Sequence, residues 1–178
     1  DGMRRAAQAG ADAIELRFDA LTPAPDAGDV ARLVADAPLP VLATCRPVRE
    51  GGRFDGDEAD RIAILRAARQ AGAAWVDLEH DASADLPGPL IRSAHDFQSP
   101  ARARELFQRV SALGGDVAKV AVAADGPEDA LALMDLVRGA ECPAIALAMG
   151  DCGLPSRLLA PKCGAFASFA ALAAGAES

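Results

Sequence analysis

Gln70-Ala71-Gly72-Ala73-Ala74-Trp75-Val76-Asp77-Leu78-Glu79 reads as the end of a helix, a glycine stop and a strand that finishes in an acid. The same plan stands earlier in the chain, where Gln8-Ala9-Gly10-Ala11 leads into a strand carrying Glu15. Repetition of helix, glycine, strand and acid marks a chain built from βα units. Apolar and β-branched runs at Ala13–Phe18, Val41–Cys45, Trp75–Leu78, Leu90–Ser93, Val117–Ala123, Ala144–Met149 and Ala165–Phe169 predict seven strands. Punctuated helical segments fall between most of them. Asp57–Ala71 ends at Gly72, a second opens at Ser99-Pro100 and ends at Gly114, and a third opens at Gly126-Pro127 and ends near Gly139. Strand and helix alternate, which favours parallel pairing.

Repeated βα units form either an open doubly wound sheet or a closed barrel. Two features favour an α/β fold of the TIM (β/α)8 barrel type. No glycine-rich phosphate loop follows any strand, and polar residues gather at the C-terminal ends of the strands, where a barrel builds its active site. The residues 80–89, with Pro87, Gly88 and Pro89, stand where a crossover helix belongs, so that connection is expected to be a loop or a single turn. The chain opens in a helix-like segment, Met3–Ala9, that should follow a strand, which predicts a barrel lacking its first strand.

The 178 residues suit one domain, with 51% hydrophobic and 25% charged residues, and nothing marks the chain as disordered or fibrous. The longest apolar stretch, in Ala165–Ala174, is too short for a bilayer and is interrupted by Ser168, so neither a membrane span nor a signal peptide is expected and a cytoplasmic location is. A net charge of -8 with scattered arginines argues against nucleic-acid binding. Cys45, Cys142, Cys152 and Cys163 show no CxxC spacing and only His80 and His95 supply imidazole, so reduced, mostly buried thiols are expected and no metal site.

The chain has two lysines, Lys119 and Lys162, and Lys119 sits inside Val117-Ala118-Lys119-Val120-Ala121-Val122. A lysine on an edge strand can lay its stem along apolar surface. A strand apolar on both faces suggests burial instead, and burial favours a lysine's neutral amine, the form that attacks a carbonyl. Strand period puts Ser93 with His95, Glu15 with Arg17, and Thr44 with Arg46 on shared faces. His95 is then either a structural histidine or a proton-transfer group at a strand end. Glu15 and Arg17 form either a structural ion pair or part of a binding site.

These segments resemble the type I 3-dehydroquinate dehydratases. Ile14-Glu15-Leu16-Arg17-Phe18-Asp19 is similar to that family's E-x-R-x-D strand. Thr44-Cys45-Arg46 with Glu50-Gly51-Gly52 resembles its arginine strand and EGG loop, and Ser93-Ala94-His95-Asp96-Phe97 its histidine strand. Ala118-Lys119-Val120-Ala121 resembles the lysine strand, Met149-Gly150 with Leu154-Pro155-Ser156-Arg157-Leu158 the M-G…SR-[LI] segment, and Pro161-Lys162-Cys163-Gly164 the P-K-[FY]-G version found in plant and some bacterial members. The resemblance implies a Schiff-base lyase of the shikimate pathway, which serves chorismate and aromatic amino acid biosynthesis. It assigns Lys119 to attack the ketone of 3-dehydroquinate, His95 to move protons and Glu50 to orient His95. It also assigns Arg157 to the substrate carboxylate, and Glu15, Arg17, Arg46 and Ser178 to other substrate contacts. It further implies no metal or organic cofactor, a homodimer, and a single barrel domain over 1–178 that is incomplete at both ends. Ser178 would open the loop that closes over substrate, ahead of a final helix. The P-K motif points to a chain fused to shikimate dehydrogenase. Another class I aldolase-type barrel, which also needs a buried lysine, and a truncated non-catalytic barrel are the alternatives.

Overall fold

A computed structural model describes residues 1–172 and divides the chain into two compact units, Asp1–Leu90 and the residues from Ile91 onward. The first carries α1 (Gly2–Gln8), β1 (Ile14–Arg17), α2 (Ala27–Ala35), β2 (Val41–Thr44), α3 (Glu58–Gln70) and β3 (Trp75–Glu79). The second carries β4 (Leu90–Asp96), α4 (Ala103–Ala112), β5 (Val117–Ala123), α5 (Pro127–Arg138), β6 (Ala144–Met149) and α6 (Leu154–Leu158).

In the first unit β1 pairs β2 and β2 pairs β3, all parallel, with Arg17 beside Thr44 and Ala43 beside Val76. In the second, β4 pairs β5 and β5 pairs β6, again parallel, with Ser93 beside Lys119 and His95 beside Ala121. The alternation of strand and helix therefore gives the expected α/β fold. Residues in register on parallel strands point to the same side, so among the described residues each unit has one face for helices and one face without them.

The helix-covered faces are mostly apolar, with Arg92 of β4 buried among them. Val41, Ala43, Cys45, Val76 and Leu78 pack with Val30 and Val34 of α2 and with Ile62, Leu65 and Ala68 of α3. In the second unit Ala94, Ala118, Val120, Val122 and Ala146 pack with residues of α4 and α5, among them Phe107, Val110, Leu133 and Val137. Burial of these side chains drives each strand onto its helices. The alternate positions on the same strands carry the polar groups: Glu15, Arg17, Thr44, Arg46, Asp77 and Glu79 in one unit, Ser93, His95 and Lys119 in the other.

Two expectations need correction. Ala165–Phe169 forms no strand: Phe166 N donates to Ala144 O at 2.8 Å, but no ladder is built there. The Ser99-Pro100 segment opens a helical stretch as expected, first as a 3-10 helix, Pro100–Arg102, and then as α4. All four cysteines are free thiols, but only Cys45 and Cys163 are buried; Cys142 is half-buried and Cys152 exposed. The link from β3 to β4 has no helix, as its prolines and glycine predict, and Ala82 and Leu86 bury themselves there as pegs in the helix-side core. Among the described residues no helix is long and apolar enough to cross a membrane.

Candidate active site

The helix-free face of the first unit is a field of paired charges. Arg17 grips Asp19 through Nε at 2.9 Å and Nη2 at 2.7 Å, and the Arg53 backbone N–H donates to the same carboxylate. Glu15 accepts from the Thr44 hydroxyl at 2.7 Å. Arg46 donates to Asp77 at 2.9 Å and to Glu79 at 2.6 Å. Arg61, on α3, reaches the other Glu79 oxygen at 2.5 Å and the Cys45 carbonyl at 3.0 Å. Burial works against the Arg46 charge, but Asp77 and Glu79 outweigh it and hold the guanidinium's pKa above its usual value. Buried charges in such a set persist because each has partners of opposite sign.

Glu50 sits on the loop after β2, whose shape needs two glycines. Gly51 lies in the left-handed region, φ 77. A Cβ on Gly52 would stand 2.0 Å from the Arg46 carbonyl oxygen, so no side chain fits there. The loop closes through Gly52 N to Pro47 O at 3.0 Å and Phe54 N to Arg46 O at 3.1 Å. Glu50 is thereby held buried, with Oε1 3.4 Å from Nε2 of His80.

On the helix-free face of the second unit Lys119 is only 4% exposed, and its Nζ lies 4.3 Å from the centroid of the Phe169 ring, a cation–π distance. The register puts Ser93 directly beside Lys119 and His95 one step further along the same face. His95 stacks with Phe97 at 6.4 Å between ring centroids. Asp96 ends the strand by accepting the backbone N–H groups of Gln98 and Ser99, which turns the chain away just after His95. Ser156 bonds the Gly153 carbonyl and the Ala148 N–H, which fixes α6 to the end of β6. Arg157 then donates to the Ala148 carbonyl at 2.6 Å, and burial lowers its guanidinium's pKa.

Within each unit the strand-borne residues share one face, Glu15, Arg17 and Arg46 in the first and His95 and Lys119 in the second, while Glu50 stands on the loop after β2 beside His80. Arg157 follows β6. Ser178 lies outside the described residues. Glu15 and Arg17 hydrogen-bond to different partners, while the Glu15 charge still helps to raise the pKa of the Arg17 guanidinium. Asp77, Arg61 and Phe169 are given no role in the sequence reading, where Glu79 figures only as the acid that ends the repeated unit and His80 only as an imidazole. Asp77 and Glu79 had a signal, two acids at strand spacing, whereas Arg61 and His80 meet their partners only through the fold. A separate cavity of about 640 Å³ in the first unit is lined by Phe18, Asp19, Pro25, Arg53, Phe54 and Ile64 and reaches neither Arg46 nor Glu50. The convergent charges mark the site better than this volume does. Among the described residues no group of three or more His, Cys, Asp or Glu is arranged to hold a metal ion.

The profile of the family described as Type I 3-dehydroquinase matches residues 1–178. The chain belongs to the type I 3-dehydroquinases. These 3-dehydroquinases are hydro-lyases. A 3-dehydroquinate dehydratase of Methanopyrus kandleri is 39% identical, the alignment covering 94% of this chain and 80% of that one. The bifunctional 3-dehydroquinate dehydratase/shikimate dehydrogenase of Arabidopsis thaliana is 33% identical over 94% of this chain, which spans 30% of that longer protein. The crystal structure of the Geobacillus kaustophilus 3-dehydroquinate dehydratase superimposes with a TM-score of 0.81 at 27% identity, covering 94% of this chain and 76% of that one. The α/β fold of the 3-dehydroquinases thus runs through nearly the whole chain.

Proposed function

We propose that the protein dehydrates 3-dehydroquinate to 3-dehydroshikimate through a Schiff base on Lys119. The observation that carries this reading is a buried amine on a helix-free face, with an imidazole one register step away on the adjacent strand. The Lys119 amine adds to the ring ketone and water leaves, giving an iminium that draws electrons from the neighbouring carbon. His95 takes the C2 proton, and the resulting enamine expels the C1 hydroxyl, which the His95 imidazolium protonates to water. Water then hydrolyses the conjugated imine, freeing the product and the amine.

Glu50 orients His95 and supports its basicity, as a carboxylate behind a catalytic imidazole does. Arg157 suits the substrate carboxylate, because a planar guanidinium matches two oxygens. Glu15, Arg17, Arg46 and Ser178 are the remaining proposed contacts to substrate. Neither metal nor organic cofactor enters these steps. The parallel strands and their polar ends support a TIM-type barrel, and the family supports a homodimer working in the cytoplasm.

The test is to add 3-dehydroquinate to the natural full-length protein and follow the absorbance of the conjugated enone. Borohydride added during turnover should attach the substrate carbon skeleton to Lys119. Turnover of an aldol substrate in place of 3-dehydroquinate, or an adduct on Lys162, would overturn the assignment.

A further inference from the structure

Two neighbouring residues of the loop after β2 meet two neighbouring residues at the end of β3. Arg49 holds Asp81 through Nε at 2.6 Å and Nη2 at 3.1 Å. Beside that pair, the Glu50 carboxylate faces the His80 imidazole at 3.4 Å, with side-chain exposures of 7% and 15%. Behind both stands Glu58, which takes two hydrogen bonds from Arg61 and lies 3.6 Å from Arg49. Arg61 in turn reaches Glu79. Glu79, His80 and Asp81 are therefore held by different groups, and the loop carrying Glu50 is tied twice to the end of β3.

We propose that His80 is a positioning residue for Glu50. Together with the Arg49–Asp81 pair it latches the Glu50 loop and fixes the direction in which the carboxylate is presented. This inference rests on the dehydratase reading above, in which Glu50 orients the proton-transferring His95. A glutamate has three rotatable side-chain bonds, and Glu50 stands just before the closed Gly51-Gly52 turn. The His80 imidazole 3.4 Å from Oε1 limits where the carboxylate can turn. Partners of this kind, one step removed from the chemistry, set the orientation on which acid–base groups depend. Glu50 is buried and His80 half-buried, so little water reaches the contact to compete with it.

The test compares His80→Leu and His80→Gln in the natural full-length protein, reading kcat, KM and the yield of borohydride-trapped Lys119 adduct. Glutamine can place an N–H near the position of Nε2; leucine cannot. A positioning group should account for only part of the ~10²–10⁴-fold that a proton-transfer group supplies, so His80→Leu should lower kcat about tenfold. KM and adduct yield should stay at parental values, and His80→Gln should restore most of kcat. A leucine variant with parental kcat overturns the latch and leaves the dehydratase reading standing. So does a joint fall of kcat and adduct yield that glutamine fails to restore, the mark of a merely structural role. Parent protein that neither turns over 3-dehydroquinate nor forms the adduct overturns both.

Discussion

Glu15 and Arg17 stand two apart on one face of β1, yet each hydrogen-bonds elsewhere, to Thr44 and Asp19. The shared face was legible from strand period alone. The partners were not, because Thr44 arrives through the register of β2 and Asp19 through a turn that folds back. Burial by itself would raise the Asp19 carboxyl, but the Arg17 hydrogen bonds and charge outweigh it and hold Asp19 below the usual carboxylate range. A folded pKa below the unfolded one gives stability that is complete above about pH 4 and lost as pH falls through the lowered value. Asp19→Asn should therefore melt below the parent at pH 7, with the gap closing at acid pH. A gap unchanged down to about pH 2 in a melting series would contradict the pairing. Lys119 was legible as an odd charge in an apolar strand and His95 as an imidazole at a strand end. Lys119→Ala should abolish borohydride trapping. His95→Ala should still be trapped while turnover falls by ~10²–10⁴-fold, a contrast read by mass spectrometry beside a rate assay.

The apolar runs at Val117–Ala123 and Ala144–Met149 are strands over those very residues, and α3 and α5 begin and end close to their sequence signals. Ala165–Phe169 is apolar too but holds no β-branched residue, and it is no strand, because an apolar run becomes one only where a neighbour supplies a ladder. Helix α2 was not recognised, although Asp26 and Asp29 form a reciprocal cap at its start. An Asp in place of the more familiar Glu at the third helical position hid that signal. On α3 the fully buried Leu65 anchors the first unit's helix-side core, and Leu65→Ala should cost about 2–5 kcal/mol in chemical denaturation. The loop 47–54 makes a different demand. Gly52→Ala forces a methyl group onto the Arg46 carbonyl, so the loop must open and Glu50 must move. Its expected signature is a fall in kcat larger than its fall in melting temperature explains. A Gly52→Ala protein with parental kcat would show that the close approach is not needed.

At the scale of the whole chain, charge and family were the most legible properties. Six motifs in one order carried the family, because residues bound by chemistry cannot drift as freely as the surface. The net charge of -8 at pH 7 falls to zero near the sequence pI of about 4.7, where self-repulsion vanishes. Turbidity should peak there, above the range in which the Asp19 pair is lost, so acid should precipitate folded protein first. Equal solubility at pH 4.7 and pH 7 would contradict this. In both units every strand gives alternate residues to the helices and to the polar face. That division has an evolutionary consequence. A lineage moving into hotter or colder water can retune Val120, Val122 or Ala146 while Lys119 and its neighbours stay as they are. Thermal adaptation and chemistry can therefore be selected separately, one residue apart on the same strand.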